Sequence, residues 1–418
     1  MQLDADSVAA EKMGHSHATH QKSYSGNVLG LEEQLFASYH LVLGGTILEK
    51  PPETKITLED AELEYGLQKM FGKNAKFRSE DQRKLCTIAA NESKKHCIAD
   101  LPCGMGKSLA WLLPPIAGRL AGKEQKTTIV ILPYRLLAAF HYHSAQQQIE
   151  KAGLNIDVAL FDRIEESSLP EELSEIGVGG AKLLPTICFF NIDAIKNLVA
   201  YHRKDVSNWV QAKLLQKFII DEVHTYHSEE SFPDVYDRGM ALVAQFKLPV
   251  IALSGTLPEF LIAPLAVKLR LTWRVEDIDK DVIQIRNHDV IGKFPSGFTI
   301  DVKQVPNVTS SVVNEVHEFL YRRDNDSVHI FAATTADADN LAEQFKVSGT
   351  DFAVVRSGIP MDQVMEVCNR WRDGKLQILI TTTCGLVGIE SPSCSMLVFH
   401  GFLYNLLQIV QAFGRLRP

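Results

Sequence analysis

Residues 99–108 read ADLPCGMGKS and end in Gly104, Met105, Gly106, Lys107 and Ser108. Two glycines one residue apart let a backbone turn tightly and aim several N–H groups at one point, an arrangement that suits a phosphate. The stretch SLAWLLP that follows reads as a helix, and its N-terminal dipole favours the same anion. In a loop of this kind the lysine, Lys107, reaches the β and γ phosphates of a nucleotide, and Ser108 holds Mg2+ through its hydroxyl. The strict pattern, G-x-x-x-x-G-K-[ST], asks for glycine at position 101, where this chain has Leu101. The loop alone is also compatible with a plain strand-to-helix turn.

Other stretches narrow the choice. KFIIDEVH places Asp221 and Glu222 at the end of an apolar run. A carboxylate there can hold Mg2+ through its water shell, and its neighbour can take a proton from an attacking water. LSGT (253–256) again closes an apolar run, so Ser254 and Thr256 can sense the phosphate site. Near the C-terminus, QAFGRLRP carries Gln411, Arg415 and Arg417. Arginines brought in by a second domain can neutralise charge that develops on a γ phosphate. Cys103 lies inside the cradle, where a thiol would make turnover sensitive to oxidation or alkylation.

Strands and helices must position these residues. Short β-branched runs recur at 96–102, 127–133, 156–161, 186–191, 217–222 and 249–255, then at 328–333, 351–355, 377–383 and 396–401. They lack internal alternation, so they read as strands buried on both faces of a parallel sheet. Helical patterns between them imply βαβ units. The stretch 273–307 breaks this rhythm and reads as a junction. The resulting organisation is a polar tail (1–28), a helical lead-in (29–65) punctuated by Pro51 and Pro52, a first α/β domain (66–272), the junction, and a second α/β domain (308–418).

The chain has 418 residues, 45% hydrophobic and 22% charged, as in an ordinary globular protein. No apolar run approaches the roughly 18 residues of a membrane span. No secretory signal is visible at the N-terminus. Seven cysteines are scattered without a C-x-x-C pair, which argues for a reducing compartment and against a disulfide framework or a structural zinc site. A net charge of −8 excludes binding nucleic acid by bulk charge and leaves only a local groove for it.

Taken in order, these motifs resemble those of superfamily 2 helicases. The resemblance implies two tandem RecA-like domains with mainly parallel sheets and ATP in the cleft between them. In that group the first glycine of the phosphate loop is commonly replaced, so Leu101 is no obstacle. LPCGMGKSLAWLLPPIA is most similar to RecQ-type DNA helicases, whose relatives commonly have threonine at the position of Cys103. MFGKNAKFRSEDQ resembles the RecQ motif that reads adenine, through Arg78 and Gln82, although the family spacing has one residue fewer between them. VILPYRLLAAF resembles the next motif, and there Pro133 and Leu137 fall where the family contacts single-stranded DNA. DEVH stands for the family's DEAH-like box and keeps His224. TTTCGLVGIESP matches the second domain's cleft motif through Gly385, Gly388 and Glu390. The resemblance covers roughly 65–418. It implies ATP and Mg2+ as cofactors, single-stranded and duplex DNA as partners, 3′-to-5′ movement, and a nuclear location in a eukaryote or a cytoplasmic one otherwise.

Two departures stand out. The family's aromatic-rich loop after the acidic box reads TYHSEESFPDVY here, with Tyr226, Phe232 and Tyr236 as stacking candidates. The zinc-binding and winged-helix modules that usually follow are absent from this sequence, so a core enzyme and a fragment are both expected outcomes. At the N-terminus, Gly14, His15, Ser16 and Tyr24 resemble the tail of tyrosine recombinases. A metal held by His15, His17 and His20 and a polar tail without function are the alternatives there. Such a remnant would imply a larger mobile-element or telomere-associated helicase gene. The competing readings of the whole are an RNA helicase or duplex-RNA translocase, a non-helicase P-loop enzyme such as a small-molecule kinase, and an inactive helicase fragment that serves as a binding module.

Overall fold

The computed structural model describes residues 58–418 except 92–94, 103, 124–125, 175–183, 229–242, 287–298, 324, 357, 383–384, 386–390, 402–408, 410–411, 414–415 and 417–418. The tail, most of the lead-in, and Cys103, Phe232, Tyr236, Gly388, Glu390, Gln411, Arg415 and Arg417 therefore lie outside the described residues.

The strands are β1 His96–Asp100, β2 Thr127–Leu132, β3 Val158–Phe161, β4 Ile187–Asn191, β5 Leu215–Ile220, β6 Val250–Ser254, β7 Val282–Arg286, β8 Ser327–Ala332, β9 Phe352–Val355, β10 Ile378–Thr381 and β11 Cys394–His400. The longer helices are α1 Asp60–Phe71, α2 Glu80–Ala90, α3 Leu109–Leu120, α4 Arg135–Lys151, α5 Ile192–Tyr201, α6 Arg203–Gln211, α7 Glu259–Lys268, α8 Val308–Arg322, α9 Thr335–Ser348 and α10 Met361–Arg372. β1 to β7 form one parallel sheet in the order β3-β4-β2-β5-β6-β1-β7. β8 to β11 form a second parallel sheet in the order β11-β8-β10-β9.

Period-2 geometry sends successive strand residues to opposite faces. Val130, Leu132, Phe189, Ile219 and Leu253 join the core under α1 to α4. Ile129, Ile131, Phe190, Ile220 and Ala252 join the core under α5 to α7. Both faces are thus covered, which is why the strands read as unbroken apolar runs. In the second sheet, Ile330 and Ile380 pack under α8 and α9, and Leu379 packs under α10 with Trp371.

Side-chain oxygens start the helices that flank the site. Ser79 Oγ accepts the N–H of Gln82 at 3.1 Å to open α2. Asn191 accepts from Ala194 at 2.8 Å to open α5. Thr334 and Asp337 cap α9 reciprocally, and Gly349, at φ +72, closes it in the left-handed region.

One boundary differs from the sequence reading. Val282–Arg286, inside the expected junction, pairs in parallel with β1 and is the edge strand of the first sheet. The run VIQIR sits among Asp, Lys and Arg, carries Gln284 and Arg286 within it, and has one partner strand among the described residues, so its apolar signal is diluted. Among the described residues no helix is long and apolar enough to cross a membrane.

Phe190 is fully buried and stacks on Phe161 of the neighbouring strand, centroids 4.8 Å apart. Phe190→Ala is expected to destabilise the chain by about 3–5 kcal/mol, read as a shift in urea midpoint. A change below about 1 kcal/mol would contradict this packing.

Candidate nucleotide site

β5, β6 and β1 lie side by side, and all three end at the same edge. Asp100 pairs with Ser254, and Ile220 with Ala252, so the phosphate loop, Asp221 and the LSGT turn leave the sheet together. In open α/β sheets the carboxyl ends of adjacent strands form the ligand crevice.

Leu101 continues β1 by one residue. Its N–H donates to the carbonyl of Ser254 at 2.9 Å, and its side chain is fully buried in the core. Position 101 therefore belongs to the ladder, and a glycine has no task there. The turn comes later, at Gly104 (φ +79) and Gly106 (φ +73). Lys107 Nζ donates back to the carbonyls of Leu101 at 2.9 Å and Pro102 at 3.4 Å, which holds the ammonium against its own loop. Met105, expected in the cradle, packs its side chain against the hydrophobic core instead, so it can offer a phosphate only its backbone.

Arg78 and Gln82 reach the loop from upstream. Gln82 Oε1 accepts the Arg78 N–H at 2.7 Å, and its Nε2 donates to the carbonyl of Gly106 at 3.4 Å. The Arg78 guanidinium donates to the carbonyl of Gly104. Ser79, between Arg78 and Gln82, caps α2. The left-handed φ is what calls for glycine at Gly106; a Cβ there would also push against Nε2 of Gln82, the movable end of that side chain.

Asp221 follows β5, and its N–H donates to Ile131 at 2.9 Å. The carboxylate is buried. Oδ1 accepts the Glu222 N–H at 2.9 Å, and Oδ2 faces Nε2 of His141 at 3.4 Å. Burial pushes the acid upward, but the bond and charge of His141, the charge of Lys107 and the Glu222 N–H outweigh it. Asp221 is thus held below the ordinary carboxylate range.

Glu222 sits at φ +48, a conformation that strains a non-glycine residue by roughly 1–3 kcal/mol. Thr225 holds the turn, its N–H and Oγ1 donating to the Glu222 carbonyl at 3.0 and 2.8 Å. Glu222 Oε2 lies 3.5 Å from Nδ1 of His224, and that nitrogen is 3.0 Å from Ser254 Oγ. Ser254 Oγ accepts the Thr256 N–H at 3.1 Å. The acidic box and the LSGT turn therefore form one hydrogen-bonded chain. Thr256 Oγ1 is buried and has no hydrogen-bond partner among the described residues.

A cavity of about 570 Å3 gathers Arg78, Gln82, Gly104, Gly106, Lys107, Ser108, Asp221 and Glu222. That volume falls in the range of small-molecule pockets. The cradle, the ammonium, the hydroxyl and the ionised Asp221 suit a nucleoside triphosphate with a divalent cation. Trp111, His141, Gln148 and Arg372 also line it and were not expected from the sequence. His141 stands among other histidines in FHYHSAQQQ, and nothing in residue type separates it from the exposed His143.

Three expectations are corrected. Pro133 and Leu137, expected to touch a nucleic-acid strand, are both buried, and Leu137 packs in the first core. The same turn exposes Arg135, whose side chain donates to the Asp162 carbonyl at 3.3 Å. Tyr226, a stacking candidate, is buried in the second core because the acidic-box turn folds it inward over β5 and β6.

The two lobes are RecA-like, each a parallel sheet between helices. In line with this, the chain matches the DEAD/DEAH box helicase family over residues 79–263 and the Helicase conserved C-terminal domain over 311–417. It has the two-domain core of a superfamily 2 helicase. Y' element ATP-dependent helicases of Saccharomyces cerevisiae are 20% identical over 407 residues, which covers 92% of this chain and 22% to 28% of those proteins. The chain thus spans about a quarter of the length of the curated relatives it matches. Among solved structures, the DUF1998 helicase MrfA bound to DNA and AMPPNP superposes with a TM-score of 0.64 at 16% identity, over 92% of this chain and 53% of that one. The DEAD-box helicase Mss116 bound to ssRNA and UDP-BeF gives 0.63 at 15% identity, over 86% of this chain and 70% of that one.

Gly106→Ala is expected to weaken binding of a fluorescent ATP analogue at least about tenfold, measured by fluorescence titration, and to lower stability by about 1–3 kcal/mol through the left-handed backbone it strains. Asp221 supplies a pH test. Its folded value is lowered, so its stabilisation is complete above the unfolded value of about 3.9 and is lost as pH falls through the folded value. The gap in urea midpoint between the native chain and Asp221→Asn should therefore be widest near neutrality and shrink below about pH 4. A gap that stays constant down to that range would contradict the lowered value.

Proposed function

We propose that this chain is the motor core of an ATP-dependent DNA helicase of RecQ type, which moves 3′ to 5′ on single-stranded DNA and unwinds duplex DNA. One observation carries the ATPase part. The phosphate loop, its upstream clasp and the acidic pair of the first lobe share a single cavity with Arg372 of the second lobe. A nucleotide held there touches both lobes, so a change in its state can alter how they sit. The DNA assignment draws on the RecQ-like phrases LPCGMGKSLAWLLPPIA and VILPYRLLAAF and on the likeness to MrfA, a DNA-bound helicase. The likeness to Mss116, bound to ssRNA, supports RNA as the second reading.

Each residue has a part in this scheme. Backbone N–H groups around Gly104 and Gly106, with the start of α3, receive phosphate oxygens. Lys107 leaves the carbonyls of Leu101 and Pro102 for the phosphates. Ser108 and Asp221 would hold Mg2+, which when bound offsets phosphate charge and orients the chain of phosphates. Glu222, turned off the strand line by its left-handed backbone, accepts the proton of the attacking water. His224, Ser254 and Thr256 relay the position of Glu222 to the neighbouring turn. Arg78 and Gln82 fix the loop from the side assigned to adenine. Gln411, Arg415, Arg417, Gly388 and Glu390 lie outside the described residues, and the part of the two arginines in neutralising the γ phosphate is what the helicase resemblance implies. With a net charge of −8, strand binding is confined to a local groove and weakens with salt. A nuclear location in a eukaryotic cell goes with the DNA reading.

The test is ATP hydrolysis with no nucleic acid, with single-stranded DNA and with single-stranded RNA. DNA is expected to stimulate turnover in the native chain, and Lys107→Ala to lower kcat at least about 100-fold. Equal rates in native and Lys107→Ala protein would end the enzyme reading. Stimulation by RNA alone would replace DNA with RNA.

A further inference from the structure

His141 has no part in the motifs above, yet it touches their central carboxylate. It lies on the second turn of α4, and its Nε2 faces Asp221 Oδ2 at 3.4 Å. The other oxygen, Oδ1, already accepts the Glu222 N–H. Each oxygen of the buried carboxylate thus has its own partner, which restrains its rotation. The imidazole is itself fixed. The Trp111 ring of α3 meets it edge-to-face at 5.0 Å and 79°, and Phe140 does so at 6.3 Å and 84°. Trp111 is buried and lies four residues after Lys107, so the loop's own helix braces the histidine.

We propose that His141 is a positioning residue that holds Asp221 in the orientation that receives Mg2+, and so ties α4 to the nucleotide site. The inference rests on the reading of this cavity as an ATP·Mg2+ site. Residues that orient a metal-holding side chain through a hydrogen bond commonly change metal affinity 10- to 100-fold when removed. Without the imidazole, Oδ2 loses its donor inside a buried pocket, and the carboxylate turns to find another. A side-chain amide of similar reach can replace that donor, whereas a methyl group cannot.

The experiment titrates Mg2+ into the native chain, His141→Ala and His141→Gln in the presence of a fluorescent ATP analogue, and records each melting curve without nucleotide. His141→Ala is expected to raise the half-saturating Mg2+ about tenfold and to lower the melting temperature by a few degrees, because it also leaves a buried carboxylate oxygen without its donor; His141→Gln is expected to keep the melting temperature near the native value. His141→Gln is expected to bring the Mg2+ requirement back to within about twofold of native, since its Nε2 supplies the donor. An unmoved Mg2+ requirement in His141→Ala, or one that is equally raised in both variants, overturns the assignment. So does a raised requirement that appears only with a fall in melting temperature that His141→Gln shares. A native chain that does not bind the analogue at all would sink the nucleotide-site reading, and this inference with it.

Discussion

The common edge of β5, β6 and β1 is the constraint on which the rest depends. Three parallel strands in register end together, and the backbone stitches their exits to one another. Leu101 donates to Ser254, Val223 donates to Leu253 at 2.8 Å, and Leu257 donates to Asp100 Oδ1 at 3.1 Å. Each bond links one exit loop to the neighbouring strand. A shift of one strand by a residue would reverse its inward and outward side chains and separate Lys107 from Asp221. Helices on both faces make such a shift costly, because each face of the first sheet is a packed core.

Charge placement follows from that geometry. Asp221 is carried into a buried position, where a carboxylate by itself would take up a proton. Lys107 across the edge and His141 from α4 keep it ionised. Glu222 occupies the next position but leaves the strand through a left-handed turn, so the two acids diverge. Their separate partners, His141 for one and His224 for the other, give two neighbouring carboxylates different surroundings. Divergent surroundings are what allow one acid to hold a cation while the other handles a proton.

Much of the fold was legible because parallel strands covered on both faces must be apolar at every position. All ten strands expected from apolar runs are present. The strand that escaped, β7, pairs on one side among the described residues and mixes polar residues with its isoleucines. Motif residues were legible where chemistry fixes the side-chain type, as for Lys107, Asp221 and Glu222. Side-chain type says less where a motif position serves the backbone or the core. Leu137 is a core residue at a motif position, Met105 offers the loop its backbone while its side chain packs against the core, and Leu101 is a ladder residue at a position where the strict pattern has glycine. His141 and Trp111 were invisible for a different reason. Their roles arise from where α3 and α4 pass each other, and no spacing along the chain encodes that crossing.

α4 joins more of the molecule than its sequence announces. Residues four apart share one face of a helix, and neighbours lie about 100° around it. Leu136 and Phe140 form one such pair, and both pack against the second lobe's core. Arg372 of that lobe lies over the Phe140 ring at 4.3 Å. Leu137 and His141 form the adjacent pair, and both line the nucleotide cavity. One rigid turn therefore carries a face for the second lobe beside a face for the nucleotide. A helix cannot move one of these faces without the other. Motion of the second lobe that displaces Phe140 displaces His141 with it, and His141 is half of what orients Asp221. The coupling needs no long chain of side chains, because it is carried within a single turn of α4.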